Sequence, residues 1–458
     1  VIVFATAVTA VASCKVGDLL PPPPSPVISS AAVAAGPYNV LSAVVSVSLM
    51  HADSVRVRFG AAGAALDSVA PVTALSSITA QLPVLGLLPS TTYRMQVVAY
   101  GAKTSIAGDT LVFTTGTLPI DLPAYSAGGS APAPGFVVFG AYPYGVVIDN
   151  TGRVVWYRHL DQAQTLNFQV QPTGRYTTMP ITAPTGDATP WVEFDALGNV
   201  TRHMGCANGL IARFHELREM ADGSYWLLCD DVRTMDLTPY GGLPDAVVTG
   251  TAVQHVDSSG HALFAWTPFD HFAITDLDPA SRTGPAVNWT HGNAIDFDAD
   301  GSLIVSFRSL SEITKIELPS GAVRWRMGGL ANQFTFSGAG ASFAGQHGLR
   351  VVGPGQLELL DNRGLPGESH AERYVLDEAA HTATLTASYF SLPPSSAILG
   401  GSTQALPAGH VLVAYGNGNR VQEYDAAGNV VWEIHGNPGY VFRAQRIVSL
   451  YRPGAGTP

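Results

Sequence analysis

Apolar and polar positions alternate in short runs along most of this chain, the period-two signature of half-buried strands, and turn residues interrupt the runs at close intervals. From about residue 135 the alternation repeats as a β-hairpin: an apolar strand, a tight turn ending in Gly, then a strand carrying Trp or another large residue. It occurs at VVIDNTGRVVWY (146–157), VEFDALGNVTRH (192–203), QHVDSSGHALFAW (254–266), IELPSGAVRWRM (316–327) and QEYDAAGNVVWEI (422–434), with a degenerate copy at YVLDEAAHTATL (374–385). The Asp-x-x-Gly turn of most copies supplies the positive backbone angle such hairpins require. A second hairpin, with Gly before an apolar strand, is interleaved at ADGSYWLL (221–228), ADGSLIVSF (299–307), GPGQLELL (353–360), PAGHVLVA (407–414) and, more weakly, QPTGRYTT (171–178). Two hairpins make four strands, one blade of a β-propeller. Six copies predict a six-bladed β-propeller over residues 118–458, with roughly 55 residues per blade.

The second hairpin also sets a register for chemistry. His215 lies eight residues before Gly223, His347 eight before Gly355 and His291 ten before Gly301; the equivalent in the last blade is Gly401, beside Ser402. The innermost strand of each blade begins near the central channel, so the spacing predicts three imidazoles converging on one axis. A single His there reads first as structural; three at one level are a candidate site. Three chemistries are open: a catalytic metal on three imidazoles, a ligand channel without chemistry, or nucleophilic catalysis by one His while the others stabilise anionic charge. No carboxylate stands obviously at the same level, which weighs against the metal.

Composition narrows the partners. Charged residues are 13% of the chain, beside 48 Gly and 32 Pro, as suits a turn-rich all-β protein. A net charge of −11 without a Lys/Arg cluster argues against nucleic acid, so an anionic substrate needs a local positive site.

Before the repeats, residues 27–117 alternate in the manner of a small β-sandwich. The run LGLLPSTTYRMQVVAYG (85–101), with FTTG (113–116) a strand later, resembles the fibronectin type III/Ig-like pattern, in which Tyr93 would be the corner tyrosine. This module is read as a spacer or as the contact of a homodimer. Ahead of it, Val1 to Ser13 is apolar and small-residue rich, and Val11-Ala12-Ser13-Cys14 resembles a bacterial lipobox. The expectation is a signal-peptide remnant at 1–13, a lipidated Cys14, and a tether at 14–26 that includes PPPPSP (21–26). The alternatives are an apolar strand or a plain cleaved signal. On the lipobox reading the protein is exported, a periplasmic or cell-surface lipoprotein held at the membrane through its lipid. Cys206 and Cys229 then remain, as a disulfide or as two buried thiols.

The runs FHELREMADGSYWLL (214–228), WTHGNAIDFDADGSLIVSFRS (289–309), GQHGLRVVGPGQLELLDN (345–362) and FRAQRIVSLY (442–451) resemble the bacterial arylsulfate sulfotransferase family across essentially the whole propeller. The shared motifs are His-x-Asn followed by Arg one strand later, then Gln-His, then Asp-Asn. The resemblance implies transfer of a sulfuryl group from an aryl sulfate donor to a phenolic acceptor through a sulfated histidine, with no nucleotide donor, cofactor or metal. It implies His347 as nucleophile, His215, His291 and Arg308 as ligands of the sulfuryl oxygens, and Asn293 beside the substrate. Such transfer passes through a loose transition state, so alignment and fixed positive groups do most of the catalysis. A phenol leaves readily if a neighbouring imidazolium supplies a proton or hydrogen bond. A non-catalytic ligand-binding propeller and a three-His metal-dependent hydrolase or lyase are the rival readings. The fibronectin-like module and the lipobox depart from the better-known members. Phe214, Trp289 and Phe307 stand beside the motifs, and each reads first as core.

Overall fold

The computed structural model describes residues 23–161, 164–338, 342–362, 368–452 and 454. Cys14 and the signal-like run before it lie outside them. Among the described residues there is no α-helix, only strands and short 3-10 turns, and no helix is long and apolar enough to cross a membrane. The chain divides into two compact units. The first holds the described residues up to Ala34, Val44–Leu82 and Thr92–Thr114; the second holds Ala35–Ala43, Pro83–Thr91 and the described residues from Thr115. This differs from a single span at 27–117, because the connecting segments 35–43 and 83–91 group with the larger unit.

In the leading region, one sheet contains Val27–Ala35, Ser42–Met50 and Thr79–Leu85, and another centres on Ser54–Ala61 and Thr92–Tyr100. Alternation decides which side chains are inside: Val45, Val47, Leu49, Val55, Val57 and Phe59 are buried, while the residues between them reach solvent wholly or in part. Tyr93 is buried edge-on to Phe59, ring centroids 6.3 Å apart.

Among the described residues the second unit contains six sheets built on four antiparallel strands, consecutive in sequence in five of them, and three of the sheets are extended by one further strand. Their inner strands are Ala444–Ile447, Thr165–Val170, Ile211–Glu219, Gly292–Phe297, His347–Gly353 and Ser402–Ala405, numbered here as the first to sixth sheet. Each hairpin repeat falls on an observed pairing; 146–157, for example, is Tyr144–Ile148 against Val154–His159. The C-terminal strand Ala444–Ile447 joins the first sheet, and Ser126–Gly128 joins the sixth, so the two ends of the repeat region are stitched together.

The repeated Trp explains how neighbouring sheets are spaced. Trp156 Nε1 donates to Ala196 O at 2.8 Å, Trp266 Nε1 to Gly321 O at 3.1 Å and Trp432 Nε1 to Asn150 O at 2.9 Å. In each case an outer-strand indole, buried among apolar side chains, binds the hairpin turn of another sheet. Each such burial stabilises by roughly 1.5–3 kcal/mol, and the bond satisfies the one polar atom buried with it.

Inner strands are joined by side chains reaching to backbone, and the joins close on themselves. Gln169 donates to Leu217 O, Arg218 to Ile295 O, Asn293 to Gln346 O, Thr403 to Gly348 O, Gln404 to Arg446 O and Gln445 to Val170 O. That sequence passes from the second sheet through the third, fourth, fifth, sixth and first, and returns to the second. Cys206 and Cys229 form a disulfide, tying the segment entering the third sheet to that sheet's second strand.

Candidate active site

The three histidines come from consecutive sheets and meet. His291 Nε2 lies 3.3 Å from His215 Nε2, and one ring nitrogen from each of His215, His291 and His347 lies within 4.8 Å of the others. His291 immediately precedes its inner strand and His347 begins its own, as the register predicted. His215 departs from that reading: it is the fifth residue of Ile211–Glu219, because this strand starts earlier.

Local irregularity aims each ring. On the third sheet the pairing slips between Ala212 and Leu217, so His215 sits in a bulge; on the fourth it slips between Gly292 and Ala294, and on the fifth between His347 and Arg350. A bulge turns a side chain out of the pleat. His291 adopts φ 49°, unusual for a residue with a Cβ, and is held there by bonds on both sides: Arg308 N donates to His291 O at 3.0 Å, and Gly292 N to Thr251 Oγ1 at 2.8 Å. Gly348 has φ 63°, and a Cβ there would lie 2.5 Å from Ser402 Cα, so the run after His347 requires glycine.

Hydrogen bonding fixes the form of His347. Asn362 Nδ2 donates to Ala397 O at 2.6 Å and Gly400 O at 2.8 Å, which turns Asn362 Oδ1 toward His347 Nδ1 at 2.8 Å. An amide oxygen only accepts, so Nδ1 carries the proton and Nε2 keeps its lone pair. Burial pushes the pKa of His347 down to about 4, against a smaller opposing effect of the Asn362 bond, and Arg308 lowers it further. His215 and His291 are also held well below the ordinary imidazole range, first by burial. For His215 the charges of His291, Arg213, His347 and Arg308 add to this, and for His291 those of Arg213, His347 and Arg308. All three are therefore neutral near pH 7. The imidazolium donor anticipated from the sequence gives way to a neutral N–H: Asn288 Nδ2 donates to His291 Nδ1 at 2.6 Å, leaving a proton on His291 Nε2, directed at His215.

The arylsulfotransferase (ASST) family profile matches residues 200–437, more than half of the 458 and a span that includes all three histidines. The chain belongs to the arylsulfotransferase family. Membership supports arylsulfotransferase activity in general. No curated protein matches the chain. Among solved structures, a Bacteroides caccae protein of unknown function is similar at TM-score 0.45 and 11% identity, over 68% of this chain and 98% of that one. Virginiamycin B lyase from Staphylococcus aureus is similar at TM-score 0.35 and 9% identity, over 67% and 87%. The fn3 domain of human contactin 1 is similar at TM-score 0.18 and 16% identity, over 25% and 99%. Likenesses this distant carry no argument about activity.

The remaining residues singled out from the sequence divide in what they contact. Arg308 is half-buried beside the cluster, donates through Nη2 to Ile398 O at 3.1 Å, and its charge is felt by all three imidazoles. Asn293 is buried, but its Nδ2 holds Gln346 O at 2.6 Å, so it secures the peptide before His347. Its Oδ1 has no partner among the described residues. Phe214 stacks by His215, ring centroids 4.1 Å apart, whereas Trp289 and Phe307 point into the core against Phe269 and Phe272.

Sequence reasoning assigned no role to Asn362, Asn288, Arg213 or Phe442, although the Asp-Asn motif contains the first. Phe442 lies 5.8 Å from His215 and 6.4 Å from His347, ring to ring, and brings an apolar wall to the cluster. Asn362 could have been found: His347 pairs with Leu360, which puts the Asp-Asn run beside the His-bearing end of the strand. Phe442 opens the run FRAQRIVSLY, but no repeat register placed it, since it precedes a strand that leaves the repeat order to join the first sheet.

Proposed function

We propose that the chain is a nucleotide-independent arylsulfate sulfotransferase that works through a sulfated His347. His347 Nε2 attacks the sulfur of an aryl sulfate; the N–S bond forms as the bond from sulfur to the aryl oxygen breaks. The phenolate departs as the anion, hydrogen-bonded by the neutral N–H of His291 Nε2, and the N–H on Nδ1 of the sulfated ring stays bonded to Asn362. An acceptor that has lost its phenolic proton to solvent then attacks sulfur through oxygen as the N–S bond breaks, and His347 is released neutral. Arg308, His215 and His291 stabilise charge on the sulfuryl oxygens. The observation that carries this reading is the Asn362–His347 bond, which leaves an unprotonated Nε2 in a buried cluster.

The architecture we attach to it is a six-bladed β-propeller, supported by the closed succession of inner-strand bonds, preceded by a fibronectin type III-like sandwich, supported by the two alternating sheets. Export, a lipidated Cys14 and a homodimer belong to the same proposal and rest on the sequence. The experiment is turnover of a chromogenic aryl sulfate with and without a phenol, with and without a chelator. Phenol-dependent transfer indifferent to chelator is expected; loss of activity on metal removal would transfer the site to metal chemistry.

A further inference from the structure

The inner strands continue beyond the histidines. They run on three to five residues from His347 to Arg350–Val352 and from His291 to Asp296, roughly 10–16 Å at the rise of a strand. There they surround a cavity of about 310 Å³, to which residues on or beside all six inner strands contribute. Its charged lining is Glu216, Arg218, Asp296, Arg350 and Arg443. Nearby amides are already engaged, Gln169, Gln404 and Gln445 each bonding a neighbouring strand's backbone. The charges are unequal, three guanidiniums to two carboxylates. Glu216 Oε2 accepts Arg350 Nη1 at 2.9 Å and Arg443 Nη2 at 3.1 Å, while Asp296 pairs with Arg218 and accepts Val351 N at 2.9 Å. Among the described residues no hydrogen bond uses Arg350 Nε or Nη2, or Arg443 Nη1. Glu216 is 1% exposed and Arg443 3%, so Arg443 already stands out of water, where a guanidinium N–H binds an oxyanion strongly, and the Arg350 side chain is only 19% exposed.

We propose that this cavity is a second ligand site, for a small oxyanion gripped by Arg350 and Arg443: a free inorganic oxyanion or the carboxylate of a small organic acid. A network that served only to join strands would need neither the surplus cation nor a void at the lower end of ligand-site volumes. Arg443 Nη2 also donates to His215 O at 3.0 Å, so an anion held here acts on the strand that carries His215. The proposal does not depend on sulfuryl transfer.

The test is calorimetric titration of the full chain carrying His347→Ala and Arg308→Gln, so that the histidine end no longer attracts anions. The probes are inorganic sulfate, inorganic phosphate and benzoate, which separate the inorganic source from the organic one. One bound anion per chain is expected. Arg350→Gln should weaken it about tenfold or more, the loss of a charge-assisted hydrogen bond. Glu216→Gln removes a carboxylate while leaving the donors, and should tighten it; being opposite in sign, it decides the matter even if Arg350→Gln fails to fold. Absence of binding by all three anions at millimolar concentration, or binding indifferent to both substitutions, overturns the proposal.

Discussion

The inner strands of the third, fourth and fifth sheets are irregular, and those of the first and sixth are not. Each of the three irregular strands carries or adjoins one histidine, and each loses register within a few residues of it. Ala444–Ile447 and Ser402–Ala405 pair without a slip, and Gln445 and Gln404 on them spend their side-chain amides on neighbouring backbone. The second sheet lies between these cases: its inner strand slips between Thr165 and Asn167, and Asn167 donates to Phe214 O and His215 O. Regular strands close the ring; irregular ones present the chemistry. A strict ladder would direct alternate side chains at fixed angles, and the meeting of three ring nitrogens within 4.8 Å uses adjustments that the bulges and the positive φ of His291 supply.

If that division is right, substitutions on the irregular strands should cost activity and those on the regular strands should cost at most a little stability. The largest effects after loss of His347 itself belong to His215→Ala, His291→Ala and Arg308→Gln. Each should lower kcat/KM about a hundredfold or more with the fold retained, as when a preorganised charge stabiliser is removed. Initial rates beside circular dichroism spectra check this, and a near-wild-type rate for all three would contradict it.

Asn362→Leu comes next. It leaves His347 in place but frees its tautomer, so kcat should fall on the order of tenfold to a hundredfold with KM little changed. A KM effect alone would mean that Asn362 contacts substrate rather than holding the ring.

The depressed imidazole pKa gives a third test. Between about 4 and 6.5 the unfolded chain binds the His347 proton and the folded chain does not, so stability rises with pH through this window and is flat above it. The full span amounts to roughly 3 kcal/mol for His347. Urea unfolding at pH 7 and pH 4.5 should show a smaller difference for His347→Ala than for wild type. The acid limb of kcat/KM, on the same grounds, should lie nearer 4 than 6.5. The smallest effect is expected of Ser402→Ala, on a regular strand: its Oγ only accepts from Ala444 N at 3.2 Å, so about 1 kcal/mol of stability and less than about twofold in rate should change.

The same contrast explains what could be read from the sequence. Regular hairpins advertise themselves, since alternation, the Asp-x-x-Gly turn and the repeated Trp each have one physical meaning. Counting back from the hairpin Gly therefore found His215, His291 and His347. It could not find the bulges, because two residues opposing one depends on the partner strand. The Asn362 tether likewise follows from cross-strand register, and Arg213 acts through its field at a distance no spacing reveals. Pairing of Cys206 with Cys229 was undecidable from 23 residues of separation, and needed the third sheet's hairpin to bring them together.

The most direct measurement is the mass of the intact protein, and then of its peptides, after brief exposure to an aryl sulfate without acceptor. One sulfuryl group per chain is predicted, on the peptide containing Gln346-His347-Gly348, absent from His347→Ala and discharged by added phenol. An adduct on another residue, or full transfer activity in His347→Ala, would contradict the assignment of His347 as the nucleophile.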